Sequence, residues 1–382
     1  MSGLLDALVS LVLFIVVLGF LVLFHEAGHF VTARLSRVRV LEFGFGFPPR
    51  AKLLGKRGET EYTLNWLPIG GFVKLEGEDG DSDEPRSFTR APLWKKLLIL
   101  VMGVVMNLVL AVAIFGGIAL FGAPQIAIKV DSIDPGSPAA GIGIVGGDTI
   151  ASINGQSFDM YDGRYGDGTI IDQLHAHAGQ TIQLGVIHAD GTHAEYTVTL
   201  RTQAEIDASL NTPNPKGPLG VMAPKGGFEP VILPAGAGRP IGESLSIGWN
   251  ETTYWFTAII HALGDLGSSI VNHPTEAPPV SGPVGIAGQL GETFRNQGPI
   301  MTLYVAGILS ANLALVNVLP FPPLDGGRML VIVLKAIPKF GKKISQRAEQ
   351  ATYAIGFLAL FGFLIWVTFF DIARGITGGG TP

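Results

Sequence analysis

The 382-residue chain has no cysteine. That excludes disulfides and thiolate metal sites, so a bound metal would have to be held by His, Asp or Glu. Charge is scarce as well. Asp, Glu, Lys and Arg make up 15% of the residues, and the mean hydropathy of +0.40 is too apolar for an ordinary soluble domain of this length. With a net charge of −5, no nucleic-acid partner is expected.

What the chain does have is long uncharged runs: Ala7–Phe24, Leu97–Gly122, Asn296–Leu324 and Ala351–Phe370. A hydrocarbon core about 30 Å thick takes roughly 20 helical residues. Four membrane spans are therefore predicted. The first run lacks a basic leader and a small-residue cleavage site and leads straight into a charged motif, so it reads as a retained span. Basic residues give the orientation. Twelve Lys and Arg lie between Arg34 and Lys96 and six between Arg328 and Arg347, whereas 123–298 holds 17 Asp and Glu against 7 Lys and Arg. The positive-inside bias then puts 34–96 and 328–347 in the cytoplasm, with both termini and the acidic segment outside it.

Between the spans the texture changes. Phe43–Pro49 reads as a Gly- and Pro-punctuated loop. Glu61–Leu67, the turn Pro68-Ile69-Gly70-Gly71 and Phe72–Leu75 read as a β-hairpin, either cytoplasmic or dipping into the membrane interface. Residues 126–202 carry alternating strand patterns around Gly136-Ser137-Pro138-Ala139-Ala140, Gly146-Gly147-Asp148-Thr149-Ile150 and Asn154-Gly155. This arrangement resembles a PDZ domain of the bacterial type, and the resemblance implies capture of extended peptides or C-termini at a sheet edge. Ile241–Leu266 is amphipathic and interrupted by Glu243, Glu251 and Asp265, which suits a membrane-surface helix better than a fifth span.

The chemistry concentrates in His25-Glu26-Ala27-Gly28-His29. On a helix, positions i and i+4 share a face, so both imidazoles can reach one ion, while Glu26 is close enough to hold a metal-bound water. Three ionisable residues adjoining an uncharged run are costly in a bilayer and point to function. A catalytic zinc needs a third protein ligand and an open position. No third ligand follows in the same helix. Asp325, at the same cytoplasmic end of another inward-running span, is the candidate, beside a backbone broken by Pro320, Pro322 and Pro323.

Together with Ser281-Gly282-Pro283-Val284-Gly285-Ile286 and the Asn317-x-x-Pro320-x-Pro322-x-Leu324-Asp325-Gly326 pattern, these motifs resemble the site-2 protease family, in particular the bacterial regulator of sigma-E group. The resemblance covers nearly the whole chain. It implies Zn2+ held by His25, His29 and Asp325, Glu26 as catalytic base, and substrate contacts at Asn317, Asn312, Pro320, Pro322, Gly70 and Gly71. It also implies regulated intramembrane proteolysis in a bacterial inner membrane. The substrates would be single-span proteins, of anti-sigma-factor or remnant-signal-peptide type, already cut outside the cytoplasm. Two departures stand out: only one PDZ-like segment is evident, and Gly103-Val104-Val105-Met106-Asn107 lacks the proline often found after that glycine. A non-enzymatic PDZ scaffold and a metal transporter remain open as rival readings.

The expected fold is thus a polytopic α-helical membrane protein of about four transmembrane helices, with a membrane-associated β-hairpin at 61–75 and an inserted extracytoplasmic PDZ domain of α+β type. The spans are placed at 1–36, 94–122, 299–327 and 351–371, and the loop carrying the hairpin at 37–93. The PDZ domain is placed at 123–205, a linker at 206–240, a surface helix and loop at 241–298, a basic stretch at 328–350 and a tail at 372–382.

Overall fold

The computed structural model describes residues 2–78, 80, 82–166, 168–212, 215–222, 228, 230–272, 277–338 and 345–377. Parts of the expected linker, basic stretch and tail therefore lie outside the described residues. Among the described residues, four helices are long and apolar enough to cross a membrane: Gly3–Leu35, Leu93–Phe121, Pro283–Val318 and Gln346–Arg374. The chain divides into two compact units, one made of Met1–Gly116 with Gly248–Pro382, the other of Gly117–Ile247.

In the first unit α1 (Ser2–Leu35) is a single 34-residue helix, about 51 Å long at 1.5 Å per residue. It is followed by two long strands, β1 (Val40–Arg57) and β2 (Thr60–Leu75). Phe43 has both Val73 and Tyr62 as partners, and Phe45 both Gly71 and Leu64, while Leu53 pairs with Thr63 and Lys56 with Glu61. The expected hairpin is corrected by this register. Residues 61–67 and 72–75 do not pair with each other but flank the first half of β1, and the expected loop 43–49 is strand. Glycine makes this possible. A Cβ on Gly44 would collide with the Phe72 ring, and Gly46 adopts φ +77.

The membrane helices α2 (Leu93–Phe121), α8 (Pro283–Val318) and α10 (Gln346–Thr377) also lie in this unit, α2 up to Gly116, together with α9 (Asp325–Ala336). Residues 283–297 are helical, where surface loop was expected. The chain then bends at Gly298 (φ 82), just before Pro299, which has no N–H to continue the ladder. The third span ends at Val318 rather than 327, because the Pro320–Pro323 segment cannot continue a helix, and Asp325 opens α9. That segment crosses close over glycine: a Cβ on Gly327 would lie 2.5 Å from the Phe321 carbonyl carbon, and one on Gly356 of α10 would strike the Pro322 carbonyl.

The second unit contains a six-stranded sheet. Its main path runs β10 (Pro230–Ala235), β3 (Pro124–Lys129), β5 (Thr149–Ile153), β7 (Thr181–Ile187), β8 (His193–Thr199), and β6 (Gln156–Ser157) pairs with β5. The pair β4 (Ser132–Ile133) and β9 (Val221–Met222) is separate. Alternate residues of these strands, among them Ile128, Ile150, Ile182 and Leu184, fill one apolar core. The Asn154-Gly155 turn between β5 and β6 has φ of 51° and 76°, the left-handed pair that a tight hairpin demands. Around the sheet lie α3 (Pro138–Gly141), α4 (Asp162–Tyr165), α5 (Ile170–Ala176) and α6 (Gln203–Ser209). Both α5 and α6 start at a reciprocal capping box, Thr169 with Asp172 and Thr202 with Glu205. The expected linker is corrected as well. Its flanking Pro and Gly suggested coil, yet Val231-Ile232-Leu233 pairs with β3 and carries the sheet past residue 205. The long helix α7 (Ile241–Asn272) follows, and its residues from Gly248 on belong to the first unit.

Candidate metal centre

On α1 the i, i+4 spacing sends His25 and His29 to the same side, and both are buried, at 5% and 8% exposure. The opening residue of α9 meets them. His25 Nε2 lies 3.0 Å from Asp325 Oδ2, His29 Nε2 lies 3.3 Å from the same oxygen, and the two Nε2 atoms are 3.1 Å apart. The rings stand edge to face, with 82° between their planes. At zinc–ligand lengths of 2.0–2.1 Å, neighbouring corners of a tetrahedron are about 3.3 Å apart. The three atoms thus fit one face of a tetrahedron, which leaves the fourth corner for water. These three side chains are the ones whose ligand atoms could hold a metal ion among the described residues. Three lone-pair atoms this close in a buried site repel one another unless a shared cation or protons lie between them.

Glu26 points elsewhere. Its Oε2 accepts a hydrogen bond of 3.2 Å from the backbone N–H of Val73 on β2. The stretch of β2 before Val73 leans on the same helix: Gly70, at φ +76, faces Val22, and Gly19 faces the Pro68 carbonyl. One face of α2 closes the centre. Ile99, Gly103 and Asn107, spaced by four, all reach the imidazoles. The Ile99 carbonyl lies 2.8 Å from His29 Nδ1, and Asn107 Nδ2 lies 3.2 Å from His25 Nδ1. Met102 packs so closely on Gly28 that a Cβ there would collide with its carbonyl.

The expected site residues are therefore brought together in part. His25, His29 and Asp325 converge, with Glu26 alongside. Asn317 donates to its own helix at the Leu313 carbonyl (3.0 Å), and Asn312 is half-buried five residues earlier. Pro320 is exposed and Pro322 half-buried in the turn leading to α9. Gly71 lies under the Gly44 carbonyl in the sheet. Sequence reasoning missed the supporting role of α2. The signal was there, since Gly103-x-x-x-Asn107 puts a small residue and a carboxamide on one face of an otherwise apolar span. Ile99 and Val73 act through backbone atoms and leave no side-chain signal. Beside the centre, a cavity of about 770 Å³ opens among Glu78, Lys96, Arg328, Lys335, Glu349 and Tyr353. The ion pair of Arg328 with Glu78 (2.5 Å) stands at its wall.

The profile of peptidase family M50 matches residues 13–363. The chain belongs to that family. It is a multi-pass membrane protein and a metalloprotease of the site-2 type. It is 33% identical over 354 residues, 92% of this chain and 95% of the relative, to a protein of Clostridium perfringens named as a candidate zinc metalloprotease. A candidate zinc metalloprotease of Clostridium acetobutylicum is 33% identical over 369 residues, 96% and 98% of the two chains. The zinc metalloprotease RasP of Geobacillus kaustophilus is 26% identical over 449 residues, 97% and 99% of the two chains.

Proposed function

We propose that this M50 peptidase is an intramembrane zinc endopeptidase that cuts single-span membrane proteins or remnant signal peptides after an earlier extracytoplasmic cut. The observation that carries the reading is the triangle of His25 Nε2, His29 Nε2 and Asp325 Oδ2, with sides of 3.0–3.3 Å. His25, His29 and Asp325 hold the zinc, which supplies Lewis acidity to acidify water and polarise a carbonyl. Glu26 takes the proton of the attacking water and passes it to the leaving amine. Val73 N–H holds that carboxylate in place.

A transmembrane helix hides its carbonyls in its own hydrogen bonds, so part of the substrate unwinds first. The β1–β2 sheet near Gly70 and Gly71 takes up the freed strand by edge pairing, and Asn317, Asn312, Pro320 and Pro322 line its path. The cavity beside Arg328 suits passage of product. We read residues 123–205 as a PDZ domain that docks or filters the trimmed end; the Asn154-Gly155 hairpin, the Gly146-Gly147-Asp148 turn and the Ser137-capped α3 support this. The basic loops put the active site toward the cytoplasmic side of a bacterial inner membrane, with this unit and both termini outside.

The test is incubation of the purified protein in liposomes with a single-span substrate bearing a helix-weakening segment. Wild type cleaves it; a zinc chelator or Glu26→Gln abolishes cleavage, and Glu26→Gln still inserts and keeps zinc. Cleavage by Glu26→Gln at the wild-type rate would overturn the reading.

A further inference from the structure

Asn107 is 0% exposed, on the face of α2 that meets the histidines. Its Nδ2 lies 3.2 Å from His25 Nδ1, and its Oδ1 is buried without a hydrogen-bond partner. Its backbone carbonyl accepts the Ser310 hydroxyl at 2.8 Å, so α8 fixes this turn of α2 at that depth.

A carboxamide can meet an imidazole in two orientations, related by a half-turn of its terminal torsion. With Nδ2 toward the ring, Nδ1 is the acceptor and the ring proton sits on Nε2. Nε2 is the atom that faces Asp325 and His29, and a protonated nitrogen has no lone pair to give a metal. With Oδ1 toward the ring, Nδ1–H donates and the Nε2 lone pair is bare. This second orientation gives the oxygen its donor and moves Nδ2 into the unpartnered place. His29 follows the same pattern. Its Nδ1 faces the Ile99 carbonyl at 2.8 Å, which can only accept, so its Nε2 is free. Ile99 and Asn107, two turns apart, would then hold the two rings in the same tautomer.

We propose that Asn107 is a positioning residue whose Oδ1 accepts the His25 Nδ1–H and so presents Nε2 to zinc. This rests on the reading of His25 as a zinc ligand. Acceptors on the far nitrogen of a ligating His typically change metal affinity by about 10–100-fold.

The experiment is zinc affinity by chelator competition for purified wild type, N107A, N107D and H25A, with helical ellipticity as the fold control. Aspartate has acceptors and no donor, so N107D keeps the bond that the oxygen makes and loses the one that the nitrogen makes. N107A should bind zinc about 10–100-fold more weakly than wild type. N107D should stay within a few-fold of wild type and, loaded with cobalt(II), keep its visible spectrum. Equal affinity in N107A and wild type would overturn the proposal. So would an N107D as weak as N107A. Should N107A fail to fold, N107D alone decides by its affinity and its cobalt spectrum. Zinc-free wild-type protein would instead overturn the ligand reading itself, and a wild-type affinity in H25A would do the same.

Discussion

Gly103 on α2 faces His29 so closely that a Cβ added there would stand 2.5 Å from the ring's Nε2 and Cε1, and 2.7 Å from Cε1 of His25. No rotamer relieves a Cβ contact, so one of the helices or both rings would have to move. Gly103→Ala ought to help α2 as a helix by about 1 kcal/mol. We expect it to cut proteolysis by about 100-fold, the cost that a misplacement of about 1 Å can carry, while the helix gain and an overpacking strain of about 1–3 kcal/mol oppose each other in the thermal midpoint. Wild-type activity in Gly103→Ala would show that the two helices do not press together at the centre.

Much of this centre was legible in the sequence because its parts are side chains with one use. His25, Glu26 and His29 sit at the end of a run that tolerates no charge, and Asp325 follows a proline-broken span. The α2 contribution was harder to read. An absent side chain at Gly103 and a carbonyl at Ile99 carry no chemical label, and Asn107 in an apolar span passes for a packing residue. The sheet was misread for a related reason. Alternation in 61–75 predicts strands but not partners, and it is the missing Cβ of Gly44 that lets Phe43 pair with Val73 on one side and Tyr62 on the other. The strand Pro230–Ala235 lay hidden among Pro and Gly because three apolar residues are too short a run to show a period.

The Ser281–Ile286 motif has a structural partner at the far end of the chain. Asp371, at 8% exposure, accepts the N–H of Gly282 at 3.2 Å and of Gly285 at 2.8 Å, and so satisfies donors at the start of α8 that have no partner within the helix. Asp371→Ala leaves both donors buried and should cost about 2 kcal/mol. Asp371→Asn keeps one of the two acceptors and should cost less than alanine. Thermal unfolding in detergent reads the difference. An alanine variant that unfolds with wild type would remove Asp371 from this role.

Acid should loosen the Gly117–Ile247 unit at two helix starts. Hydrogen bonds from Thr169 hold the Asp172 carboxyl below its usual range, and those from Thr202 do the same for Glu205. Both groups ionise more readily folded than unfolded. Their contribution is complete above the ordinary carboxylate range, near pH 4, and is lost as pH falls through the lower folded values. Amide exchange in 169–176 and 202–209 should therefore speed up, relative to the strands, as pH drops from about 5 to 3. Thr169→Ala loses the hydroxyl's bond to Asp172 and keeps the backbone N–H's, so it should weaken that response in α5 and leave it in α6. An unchanged α5 response in Thr169→Ala would contradict this.

Metal analysis of the purified protein tests the shared cation most directly. Wild type should carry about one zinc per chain, as a site of three protein ligands and water requires. Asp325→Ala and His25→Ala should each lose most of it, because removing one corner of the triangle leaves two ligands. Wild-type protein without zinc, or an Asp325→Ala variant that keeps the full complement, would contradict the account.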